Sequence, residues 1–147
     1  MTEKNKATEQ YLELYKLAVE MADRVSARRA TANAFFLTVN TALLAFVSSG
    51  SFNMLWLVAL AGIALSGTWC ILLKSYRDLN TAKFGVILEM EDNLEVKVFD
   101  DEWKKLKEEK RTKRWWEMYA EFGKVERFVP LVFAALYTAV LVRVLLP

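Results

Sequence analysis

Asn33 and Asn40 lie seven residues apart, two turns of a helix, and Thr41 borders the face they share. An amide can bond a neighbouring helix or hold water, but it offers no acid–base chemistry. Facing lipid it is costly, so this face must meet protein or water. Two readings follow: the amides join helices, or they line an aqueous lumen.

A second pattern is Ala59, Gly62, Ser66 and Cys70, at steps of three and four, with Gly67 alongside. Small residues so spaced let helix backbones approach closely, so this seam is expected to carry association between subunits. A third pattern interleaves Lys110, Arg111, Lys113 and Arg114 with Trp115, Trp116 and Tyr119. A basic, aromatic helix beside a membrane span suits anionic headgroups first and a protein contact second. Stacking on RNA is the weakest of the three uses, and a net charge of only +2 argues against nucleic acid as a partner.

Other chemistry is thinly supplied. The chain has no histidine and one cysteine, which removes histidine-based catalysis, most zinc sites and any disulfide within one chain. No phosphate-binding loop or nucleophile elbow appears. The acids Glu89, Glu91, Asp92, Asp100, Asp101 and Glu102 read as solvated helix faces rather than catalytic pairs. No enzyme activity, cofactor or metal is expected.

The elements that must position these residues are helices. Hydrophobic residues make up 54% of the chain and charged ones 26%, and the two are segregated. Between Arg29 and Lys74 there is no charge at all, a window of 44 residues. A helix needs about 20 apolar residues to cross a bilayer, so the window holds two crossings. They are expected at 30–47 and 54–73, joined by a turn at Ser48–Asn53. A buried hairpin of a soluble protein is the lesser alternative, since such helices rarely lack charge all round. A third apolar run, 128–147, is long enough to span or to lie in the interface, with Pro130 in its first turn and Arg143 near its end. Trp56 and Trp69 could mark interface belts.

The expected fold class is an all-α membrane protein. A transmembrane hairpin and a third C-terminal span are accompanied by cytoplasmic amphipathic helices. The divisions are 1–29, an N-terminal helix; 30–73, the hairpin; 74–127, a helical region; and 128–147, the third segment. No glycine or proline separates the N-terminal helix from the first span, so one helix over about Thr8–Val47 is expected. Apolar residues Tyr76, Leu79, Val86, Ile87, Met90 and Leu94 mark a face of the helical region, and Asp100 or Asp101 is a plausible N-cap for a further helix. The polar N-terminal stretch lacks an early apolar run, so no cleavable signal peptide is expected. Basic flanks (Arg24, Arg28 and Arg29; Lys74, Arg77 and Lys83; Lys124 and Arg127) place the N-terminus and the 74–127 region in the cytoplasm.

Two stretches, "YLELYKLAVEMADRVSARRATANAFFLTVNTALLAF" and "SYRDLNTAKFGVILEMEDNL", resemble the RipA family of octameric membrane proteins. The likeness covers Tyr11 to Trp103. More loosely, the layout is similar to small two-transmembrane anti-phage effectors and to the octameric pore accessory of RNA-targeting CRISPR loci. The resemblance implies a homo-oligomeric ring of about eight chains in the bacterial inner membrane. It also implies a role in antiviral defence through permeabilising the host. An Arg…His nuclease motif discussed for the CRISPR accessory is impossible here without histidine. In such a ring Arg29, one turn before Asn33, would circle the cytoplasmic mouth of a pore and disfavour cations. The competing function is a membrane-anchored scaffold that recruits a soluble defence partner and has no conducting lumen.

Overall fold

The computed structural model describes residues 3–48, 54–112 and 122–146. Those residues form four helices: α1 (Glu3–Ser48), α2 (Leu55–Glu91), α3 (Val98–Thr112) and α4 (Phe122–Leu145). The class is all-α, with no strand among the described residues. Helices α1, α2 and α4 are each long and apolar enough to cross a membrane.

The sequence explains these lengths. α1 has no glycine or proline between Glu3 and Ser48, so nothing interrupts the backbone ladder where charge gives way to apolar residues. α2 likewise runs through the end of the charge-free window at Leu73 and stops only at Glu91. There Asn93 and Leu94 turn back, their amides donating to the carbonyls of Met90 (3.2 Å) and Glu91 (2.9 Å). The expected loop at Ser48–Asn53 lies, apart from Ser48, outside the described residues. α4 begins earlier than its hydropathy suggests, which places Pro130 inside the helix rather than in its first turn. The ring of Pro130 is buried, where its missing amide proton needs no partner.

The chain divides into two compact units, Met1–Ala27 with Asp78–Tyr119 and Arg28–Arg77 with Ala120–Pro147. In the first, α1 and α2 bury Ala22, Val25 and Ile87, and Phe84 of α2 meets Phe99 of α3 edge-on at 5.7 Å between ring centres. In the second, α1, α2 and α4 close around Phe36, Trp69 and Leu73, with Leu65, Leu72, Val129 and Phe133 packed against them.

Candidate functional site

In the second unit the polar residues of the spans converge on one another. Asn33 accepts a hydrogen bond at its Oδ1 from the indole Nε1 of Trp69 (2.9 Å). Two turns on, Asn40 is fully buried. Its Nδ2 donates to the Phe36 carbonyl (2.8 Å), and its Oδ1 accepts from the Ser66 hydroxyl (3.2 Å). The Tyr137 hydroxyl of α4 donates to the Asn40 carbonyl (2.9 Å). One asparagine thus ties α1 to α2 through its side chain and to α4 through its backbone. Without water, each such group left unpaired would cost free energy, so the network fixes the register of all three helices.

The aromatic neighbours follow from the same register. Phe36 stacks on Trp69 with planes 9° apart and centres at 5.7 Å, and the Phe133 ring centre lies 6.2 Å from that of Trp69, tilted by 43°. Trp69 is therefore an interior residue that holds Asn33, not the interface marker that its position near the end of an apolar run suggests. Trp56 remains partly exposed.

The small seam of α2 also turns inward. Ala59 and Ser66 are fully buried, and Cys70 is half-buried. A Cβ added at Gly62 would stand 2.5 Å from ring atoms of Tyr137. Within the protomer this seam seats α4, through Gly62, and α1, through Ser66. The large ring of Tyr137 needs a residue without a side chain opposite it.

Thr41, next to Asn40 on α1, is exposed. Arg29 lies 3.6 Å from Glu126 across to α4, with both side chains about one quarter exposed, so its charge is partnered inside the protomer. The backbone of Lys110 and Arg111 belongs to α3, but their side chains lie outside the described residues, as do Lys113, Arg114, Trp115 and Trp116 entirely.

The first unit holds a feature that the sequence did not single out. Glu91 is fully buried, although it reads in the sequence as one of several solvated acids. Its Oε1 accepts from the Tyr15 hydroxyl (2.8 Å) and the Phe99 amide (3.0 Å), and its Oε2 from the Asp100 amide (3.1 Å). The two amides belong to the first turn of α3, so the last residue of α2 caps the next helix. Asp100 and Asp101 sit inside that first turn instead of capping it. Tyr11 completes the joint by donating to the Met90 carbonyl (2.7 Å) and accepting from Asn93 (3.1 Å). Burial alone would raise the Glu91 pKa, but the bonds from Phe99, Tyr15 and Asp100 outweigh it and hold the carboxyl below its ordinary value. Burial first, and then the Glu91 carboxylate, pushes the Tyr15 hydroxyl up to about 12.

A bundle of three candidate spans that bonds Asn40 and the Asn33 oxygen internally, and a capped helical unit built on two of the same helices, defines a helical multi-span membrane protein. The chain belongs to the octameric membrane protein family, 8xMP, whose model matches residues 12–146. No curated protein matches it, and no solved structure does.

Proposed function

We propose that eight copies of this chain form a ring in the bacterial inner membrane with a water-filled axis, and that the ring permeabilises the host membrane in anti-phage defence. The observation that carries the lumen is the row Thr31, Ala34, Thr38, Thr41 and Ala45, exposed along α1 at steps of three and four. The outward faces of the other spans are greasy by comparison: Leu57, Leu60 and Ile71 on α2; Leu131, Val132, Leu136 and Val142 on α4. Since Asn33 and Asn40 bond inside the protomer, the row on α1 offers three exposed hydroxyls, where the exposed faces of the apolar stretches of α2 and α4 offer one each, Thr68 and Thr138.

Geometry supports a hole at the axis. Eight helices packed side by side at about 10 Å cannot meet in the middle; they leave an opening about 15 Å across once side chains are counted. The hydroxyls of Thr38, Thr68 and Thr138 donate to carbonyls four residues back, at 2.9, 2.9 and 2.8 Å. Such a hydroxyl tolerates lipid, and its oxygen still accepts from water. The defence role rests on the resemblance of Tyr11–Trp103 to octameric membrane proteins and, more loosely, to anti-phage effectors. In this arrangement the N-terminus and the region after α2 are cytoplasmic, as the basic flanks favour, and the C-terminus is external.

The test is ion selectivity of the purified octamer in planar bilayers under a salt gradient. A ring of like charges at the lumen wall sets which ion passes. Thr38→Glu is expected to favour cations and Thr38→Lys anions, with reversal potentials of opposite sign. An intact octamer that passes no current would be the membrane-anchored scaffold instead.

A further inference from the structure

We propose that the first unit of one copy docks onto the first unit of the next, the apolar face formed by α1 and α2 seating against the α3 side of its neighbour. This inference rests on the octameric ring proposed above and names the contact that builds it. Leu14, Leu17 and Met21 on α1 and Leu79 and Val86 on α2 leave between 45% and 58% of their surface exposed. Met21 and Val86 face each other across a shallow cavity of about 300 Å³, with Ala18, Ala82 and Lys83. The two helices therefore present a single apolar face.

Lipid is a poor cover for that face. Along the same stretch α1 carries Glu9, Glu13, Lys16, Glu20, Asp23 and Arg24, and α2 carries Asp78, Lys83 and Glu89, all outside the charge-free window. Charges at this density do not enter hydrocarbon. In water, apolar area of this extent marks a contact with protein.

A second copy fits because the opposite side of the unit is built to receive it. Val19 lies two residues from both Leu17 and Met21, and Phe84 two residues from both Ala82 and Val86, about 200° around their helices. Those are the positions that α3 covers. Phe84 touches Phe99, and Val19 lines an open groove of about 430 Å³ with Val98 and Phe99. Val98 and Trp103 stay exposed beside it. A closed ring needs this: a cyclic contact joins two different faces, on opposite sides of each subunit. Lys83 borders the apolar face, and the groove carries Lys16 and Asp23 together with Glu20, which Arg24 already pairs at 2.7 Å, so apolar fit rather than charge carries the contact.

The experiment uses the full chain with Cys70→Ser and two double variants, Leu17→Cys/Trp103→Cys and Met21→Cys/Val98→Cys, treated with a short bis-maleimide. At least one pair is expected to give a ladder of covalent species climbing in single-chain steps to the octamer. The four single variants should stay at background, because a heterologous contact brings no residue opposite itself. Leu17→Lys with Met21→Lys should lose the octamer on native mass analysis while keeping wild-type helicity. An intact octamer with no ladder from either pair overturns the docking face and leaves the ring standing. So does an octamer that survives the two lysines. Dimers from Leu17→Cys alone overturn it in favour of a two-fold contact. A wild-type chain that is not octameric overturns the ring itself, and this inference with it.

Discussion

Replacing Glu91 with alanine is expected to release the start of α3 and to destabilise the first unit by about 2–4 kcal/mol. The carboxylate holds two first-turn amides of α3 and the Tyr15 hydroxyl in a buried position. Hydrogen bonds to a charged group are worth about 1.5–3 kcal/mol each, and water recovers part of the loss at a half-buried helix start. Glu91→Gln keeps the shape and one carbonyl acceptor but loses the charge that favours the helix N-terminus, so a smaller loss of about 1–2 kcal/mol is expected. Hydrogen exchange at the Phe99 and Asp100 amides measures both.

The pH dependence has a definite sign. The folded pKa of Glu91 is depressed, so its contribution is fully present above the unfolded value of about 4.3 and is lost as pH falls through the folded value. Protection of the α3 amides should hold from neutral pH down to about 4.5 and fall below it. In Glu91→Gln the acid step assigned to this residue should be absent. Unchanged protection in Glu91→Ala would show that α3 does not depend on this cap.

Gly62→Leu is expected to have the largest effect within the membrane. Even a methyl group at Gly62 would stand 2.5 Å from the Tyr137 ring. Tyr137 cannot swing aside cheaply, because its ring is fully buried and its hydroxyl is held by the Asn40 carbonyl. Overpacking a tight core costs about 1–3 kcal/mol, and leucine, larger than alanine, should reach or exceed the upper end. α4 should then lose its seat, seen as earlier unfolding in detergent titration. Gly62→Ala paired with Tyr137→Ala opens the space and should recover part of the loss. If Gly62→Leu unfolds like wild type, α4 is not packed on α2 as described.

Much of the architecture could be read from residue types. The charge-free window announces two spans, and the run after Arg127 a third, because bilayer thickness sets a length that hydropathy displays directly. The face carrying Asn33 and Asn40 was equally visible, since it needs only the period of one helix. What those amides touch was not. Trp69, Ser66 and Tyr137 lie 36, 26 and 97 residues away from their asparagine partners, and the period of one helix says nothing of its register against another. For the same reason the Tyr137 opposite Gly62 is not legible: a small residue invites close packing without naming the partner. Glu91 was missed because neighbouring acids hid it. The available signal was its place at the end of a long helix, followed by Asp92 and Asn93 and then by a new helix that needed an acceptor.

In the proposed ring α1 turns its threonine row to a water-filled axis, while Asn33 and Asn40 bond to α2 within each protomer. The direct measurement is thiol reactivity in the assembled octamer, reconstituted in lipid with Cys70→Ser as background. A charged thiosulfonate that does not cross membranes is added to Thr38→Cys, to Ser66→Cys and to Leu136→Cys. Thr38→Cys is expected to react, with a step in conductance as each charge is attached. Ser66→Cys, locked beside Asn40, and Leu136→Cys, on the outward face of α4, should stay unmodified. An intact octamer in which Thr38→Cys is inert, or in which Ser66→Cys reacts as fast, would contradict this arrangement.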